Sequence, residues 1–168
     1  MVLTDEPVLL IGSPMCTIHS VMNNINHARM PTEVVRQRFE HARRHLEFAT
    51  KLYKIQAQEG RYFLHEHLES VSSWQERCVQ EVLNIKGVKK VMGDQCRYGL
   101  TAKGNNGPGP ARKATGFMTN SPCIALQLKR RCPNRGDIRY TSMCSCKGEK
   151  PRRHKDTHQS CAELLAEV

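Results

Sequence analysis

Cys16, Glu66 and the Arg112-Lys113 pair are the residues whose types and settings point most directly to chemistry. Cys16 stands two residues after the proline of Gly12-Ser13-Pro14, where the apolar run Val8-Leu9-Leu10-Ile11 stops. A thiol in a turn at a strand tip acts as a nucleophile once an electropositive setting makes it thiolate, whereas a thiol packed in a core is an inert small hydrophobe. Glu66 lies between His65 and His67, just after Tyr62-Phe63-Leu64. A carboxyl group at a strand end can serve as a general acid or base. Arg112 and Lys113 close a Gly/Pro/Asn-rich stretch, Thr101 to Ala114, and suit phosphate contacts that position a nucleic acid without reading its sequence.

Metal chemistry finds weaker support. His41 and His45 are four apart on a helical pattern but have no third ligand nearby in sequence, so a solvated helix face is expected. Cys132, Cys144, Cys146, His154, His158 and Cys161 are spaced irregularly, unlike the paired cysteines of structural zinc sites. No metal is therefore expected.

These residues need a scaffold, and the periodicity supplies one. Val8–Ile11 predicts a short strand buried on both faces. Val35, Phe39, Ala42, Leu46, Ala49, Tyr53 and Ala57 form one apolar stripe on a long helix, preceded by Pro31 and followed by Gly60. Its other faces are charged, with Glu40–Arg44 and Glu47–Lys51 pairs in the favourable order. Tyr62–Leu64 reads as a second strand running into the His-Glu-His cluster. Ser73 and Glu76 have capping-box spacing before a helix that buries Trp74, Cys78, Val79, Val82 and Leu83. Val88–Met92 and Thr115–Asn120 read as further strands, and Ser121-Pro122 as the start of a helix to about Arg131. Thr101–Ala114 reads as a long loop. Strands alternating with helices predict an α/β fold with a parallel sheet and flanking helices. In such sheets function gathers at the carboxyl ends of the strands, which would bring Gly12–Cys16, His65–His67 and Gly93–Gly99 to one crevice.

The chain of 168 residues has a formal net charge of +10. The basic excess is steepest from Lys129 to Lys155, where ten Lys/Arg face two acids. That balance favours nucleic acid as a partner. The opening MVLTDEPVLLIG lacks a basic n-region, and no stretch approaches the ~18 apolar residues of a membrane span. An intracellular setting, nucleus or cytoplasm, with reduced thiols is expected.

Gly12-Ser13-Pro14-Met15-Cys16 resembles the Pro-Pro-Cys motif of DNA cytosine-5 methyltransferases. Gly12, Pro14, Cys16 and Ser20 stand on matching positions, while Met15, Thr17 and His19 depart from the motif. Phe63-Leu64-His65-Glu66-His67 resembles that family's F-x-x-E-N-V, with Glu66 on the glutamate and His67 on the asparagine. Asp94–Gly99 and Ala111–Asn120 are similar to its late segment. Order and spacing agree from about Leu3 to Cys132. The chain is also similar to uncharacterised methyltransferase-like reading frames that accompany copia-type retroelements in protists.

The resemblance implies a partial Rossmann-like sheet over residues 1–132; residues 133–168 depart from the family, carry no usable periodicity and are expected to be a basic, disordered tail. It implies Cys16 as the nucleophile on C6 of a flipped cytosine and Glu66 as the group that contacts the ring. It places Ser13, Pro14, Ser20, Arg112 and Lys113 at the substrate and S-adenosylmethionine as methyl donor. No glycine-rich cofactor turn precedes Cys16, so a partner chain or an upstream domain is expected to hold the cofactor. Outside the enzyme class, a non-catalytic nucleic-acid-binding module would use the same basic residues.

Overall fold

The computed structural model describes residues 5–15, 29–104 and 107–133. Its centre is a four-stranded sheet in the order β1-β2-β6-β3, formed by β1 (Leu9–Gly12), β2 (Tyr62–Leu68), β3 (Lys89–Asp94) and β6 (Ala114–Thr119). The helices are α1 (Thr32–Gln58), α2 (Arg77–Leu83) and α3 (Pro122–Leu128). A separate two-stranded ribbon pairs β4 (Thr101–Gly104) with β5 (Gly107–Pro110).

The α/β class is as expected, but the sheet is mixed and not all parallel. β1 and β2 are parallel, with Leu10 opposite Phe63. β6 runs antiparallel to both β2 and β3, so β3 points the same way as β1 and β2. The reason is connectivity. A parallel neighbour needs a crossover of a dozen or more residues, usually a helix, to return the chain to the starting end of the sheet. The chain leaving β3 instead makes a 3₁₀ turn (Gln95–Tyr98) and the β4–β5 ribbon, and re-enters beside β3. The stretch read as a plain loop is therefore partly a ribbon of Gly and Pro residues.

β1 was expected to be buried on both faces, and it is not. It is an edge strand whose residues alternate, with Leu9 and Ile11 exposed and Leu10 half-buried. β2 runs past its predicted end and takes in the whole His-Glu-His cluster. Strand alternation then sends His65 and His67 into the core and Glu66 to the opposite face.

One sheet face carries α1, with α2 packed on α1. The core here joins Leu46 and Tyr53 of α1, Phe63 of β2, Trp74, Val79 and Val82 around α2, and Met118 of β6. Gly116 admits Trp74 to the sheet, since a Cβ there would lie 2.6 Å from Trp74 Cζ2. α1 extends the predicted stripe in both directions, and Gly60 follows it at φ +69°. Its buried residues are Ala42, Leu46, Thr50, Tyr53 and Gln56, whereas Phe39 is exposed. At 27 residues the helix is about 40 Å long, against about 23 Å for the seven residues of β2, so its first turns overhang the sheet.

The expected capping box is absent. Glu76 caps α2 without a side-chain hydrogen bond, and the Ser73 hydroxyl is buried against His67 instead. At α3 the expected cap forms, with Ser121 Oγ accepting from the Ile124 N–H at 3.4 Å and Pro122 as first residue. α3 ends at Leu128 and covers β3 and β6 on the second sheet face.

Candidate functional site

Glu66 is on the second face, opposite Phe117 of β6. Among the described residues no helix covers the β1–β2 side of this face, and the Glu66 side chain keeps 24% of its surface exposed. Three chain segments reach its carboxylate. Ser13, just past β1, donates to Oε2 at 2.8 Å. Gln95, just past β3, donates to Oε1 at 3.1 Å. Lys113, entering β6, brings its Nζ to 3.5 Å of the same oxygen. The carboxyl ends of β1 and β3 and the mid-strand of β2 thus meet at one carboxylate.

The turn after β1 is fixed from beneath. His67 Nε2 lies 2.8 Å from the Pro14 carbonyl and Nδ1 lies 2.6 Å from Ser73 Oγ. A carbonyl only accepts, so Nε2 carries the proton and donates to Pro14. Pro14 is buried while Ser13 and Met15 face solvent. Gly12 closes the arrangement, because a Cβ there would run into the Tyr53 hydroxyl.

His65 lies deeper, with its ring edge-on to Trp74 at 5.2 Å and Nδ1 at 3.2 Å from the Tyr53 hydroxyl. Burial, with smaller pushes from His67 and Lys90, lowers its pKa from 6.5 to about 3, so the ring is neutral. Lys90 Nζ sits 3.9 Å above the Trp74 ring. His65 is therefore a core residue and not a site residue.

Asp94 ends β3 with no exposed surface. Its Oδ2 accepts from the Cys132 N–H at 2.6 Å, and Arg112 Nε and Arg131 Nε each approach the carboxylate to 3.6 Å. Arg112, expected at a substrate phosphate, is thus turned inward with a quarter of its side chain exposed. Beside Asp94, burial and the Cys132 thiol push the Cys96 thiol up to about 11.

No family model, curated protein or solved structure matches this chain. What the site can do rests on its own geometry.

Of the expected site residues, Ser13, Pro14, Glu66 and Lys113 come together. Cys16 and Ser20 lie outside the described residues, as do the tail beyond Pro133 and with it Cys144, Cys146, His154, His158 and Cys161. His41 and His45 are exposed on α1. Gln95 went unrecognised as a ligand of Glu66 by sequence reasoning, although it sits in the third strand-end cluster. Alternation along Tyr62–Leu68 was the signal that separates Glu66 from its two histidines.

Proposed function

We propose that this chain carries a cytosine-5 methyltransferase-like site on a partial Rossmann-like sheet. The observation that carries the reading is the convergence on Glu66 of Ser13 and Gln95, just past the like-directed strands β1 and β3, with Lys113 at the start of the antiparallel β6. Cys16 is three residues beyond Ser13, a chain reach of about 11 Å at full extension. The open sheet face beside Glu66, with Leu9 and Ile11 exposed, leaves room for a base taken out of its stack.

In this reading the Cys16 thiolate adds to C6 of cytosine, and the electron pair of the C5–C6 bond moves toward C5 and the ring. Glu66 hydrogen-bonds the ring nitrogen N3 and the exocyclic amine and supplies the proton that N3 takes up. Ser13, Gln95 and Lys113 orient the Glu66 carboxyl group toward the open face. S-adenosylmethionine would supply the methyl group for C5. The described residues do not fit that group: Gly12 is closed by Tyr53, and the donors past β1 and β3 are already spent on Glu66. No step is routed through it, and a partner chain or another domain is its proposed holder.

The first half of this chemistry is testable without a cofactor. Addition at C6 followed by protonation at C5 and reversal exchanges the C5 hydrogen with solvent. Mass spectrometry of a cytosine-containing oligonucleotide incubated with the protein in D2O is expected to find deuterium at C5, and none with Cys16→Ser. Equal exchange in both proteins, or none in either, sinks the enzymatic reading.

One observation favours a second reading. Both oxygens of Glu66 already have partners within the protein, as a purely structural carboxylate would. The chain would then be a nucleic-acid-binding module of a mobile element. Binding that is indifferent to Cys16→Ser and to Glu66→Gln, in the absence of exchange, is its signature.

A further inference from the structure

From Gln95 to Pro133 the sequence holds seven lysines and arginines and no acid. Three of them turn to acids elsewhere: Arg112 to Asp94, Arg131 to Glu69 and Asp94, and Lys113 to Glu66. Arg97, Lys103, Lys129 and Arg130 reach no carboxylate among the described residues. Among the described residues Arg97 Nε is buried without a hydrogen-bond partner, and the Arg130 guanidinium meets the neutral Gln127 amide at 2.9 Å. Tyr98 gathers this group. Its hydroxyl lies 3.2 Å from the Arg130 N–H and 3.2 Å from the Gln127 carbonyl, which seats the 3₁₀ turn of Arg97 against the chain leaving α3. Asp94 ties the same two segments from below, its N–H donating to the Arg130 carbonyl at 2.9 Å.

The basic back of α1 differs. There Arg36 pairs with Glu33 and Glu40, Arg43 with Glu47, Arg44 with Glu40, and Lys54 with Glu81. Its charge is largely spent within the protein, so fewer counterions would be released by a polyanion docking there.

We infer that Arg97, Lys129 and Arg130, grouped around Tyr98, form a contact surface for the phosphate backbone of a nucleic acid, and that the back of α1 does not. The inference rests on nucleic acid being the partner, as in the proposed function. It adds the path of the strand, which runs over the 3₁₀ turn and the end of α3. Gln95, at the head of that turn, touches Glu66, so the strand's course leads to the site. A single-stranded nucleic acid is the occupant this surface suits, because the exposed ring of Tyr98 (39%) among the cations offers a stacking face for a base beside phosphate contacts.

Fluorescence anisotropy of a labelled single-stranded oligonucleotide, titrated with the full chain from low to moderate salt, tests this. R97Q/K129Q/R130Q is expected to weaken binding at least ~10-fold and to flatten the log K against log salt slope by about 2, near 0.7 per lost phosphate contact. R36Q/R43Q/R44Q, removing paired cations on α1, is expected to bind like the parent. Circular dichroism checks that both variants fold, and the single variant K129Q, at an exposed site, is expected to lower the slope by about 0.7 should the triple variant unfold. An unchanged slope in the patch variants overturns the inference, as does an equal loss in the α1 variant. Release of phosphatidylserine vesicles by R97Q/K129Q/R130Q, with oligonucleotide binding unaltered, overturns it in favour of a membrane. The C5 exchange assay is independent: loss of exchange with a retained patch effect defeats the catalytic reading alone, and the reverse defeats the patch alone.

Discussion

Two adjacent side chains on one strand have opposite fates, and both are measurable. His65 is neutral in the folded protein because its surroundings offer a cation no solvation. Its folded pKa, about 3, is below the 6.5 of the unfolded chain, so below pH 6.5 the unfolded state binds the extra proton. Stability is then lost as pH falls from 6.5 toward 3, at up to about 1.4 kcal/mol per pH unit. Above pH 6.5 the residue contributes no pH dependence. Urea denaturation at stepped pH is expected to show this acid limb, and His65→Phe is expected to flatten it. A limb of unaltered slope in the variant assigns the acid sensitivity elsewhere. Glu66, on the other face, is held by Ser13, Gln95 and Lys113. Glu66→Gln keeps its shape and removes its charge and its acid. It is expected to lower C5 exchange about 100-fold or more, as loss of a general acid does, with little change in the urea midpoint because the group is partly exposed.

At the scale of elements, buried contacts decide which ends meet. Asp94 holds the end of β3 to the chain leaving α3 through the Cys132 N–H, with Arg112 and Arg131 as its counter-charges. Asp94→Asn leaves Arg112 without its carboxylate, while Arg131 keeps Glu69 at 3.1 Å, and a destabilisation of about 1–3 kcal/mol is expected from equilibrium unfolding. A change below about 1 kcal/mol would mean that solvent, not Asp94, compensates the arginines. The β1 turn depends on Gly12 in a different way. A methyl group at that position meets Tyr53, which packs at 4.9 Å on Phe63 and contacts His65, so the ring has no free direction to retreat. Gly12→Ala is expected to cost about 1–3 kcal/mol by overpacking, and Gly12→Ala with Tyr53→Phe to recover part of it.

Over the whole molecule, stability is expected to be uneven. β2 and β6 lie inside the sheet, each with a neighbour on both sides, and carry the core residues Phe63 and Met118. β1 is an edge strand, and β4–β5 is a two-stranded ribbon outside the sheet. An isolated ribbon of that kind is marginal in water. Native-state hydrogen exchange is expected to protect β2 and β6 most and β4–β5 least. Protection of the ribbon equal to that of β6 would show that further contacts secure it. The site lies at the boundary between these regions: Glu66 is on the firm strand, and its partners Ser13 and Gln95 are on segments at the edge and in the β3–β6 connection.

The sequence by itself determined the helices, the four strands of the central sheet and the α/β class, but not the Gly/Pro ribbon β4–β5. A 3.6-residue period fixes the inward face of α1, a Ser-Pro pair starts α3, and apolar runs mark the strands, because each of these signals is local. It also singled out Glu66 and Lys113 by type. Only the tertiary structure decided that β6 runs against its neighbours, since direction depends on how the chain returns and not on any side chain. Only it separated Arg112 and Lys113, adjacent in sequence yet spent on Asp94 and Glu66, which are 28 residues apart. It also turned the His-Glu-His cluster into two core residues and one site residue, and left the unneutralised charge around Tyr98. Ion pairing and burial are set by through-space neighbours, and a linear pattern carries no record of which acid a given cation will meet.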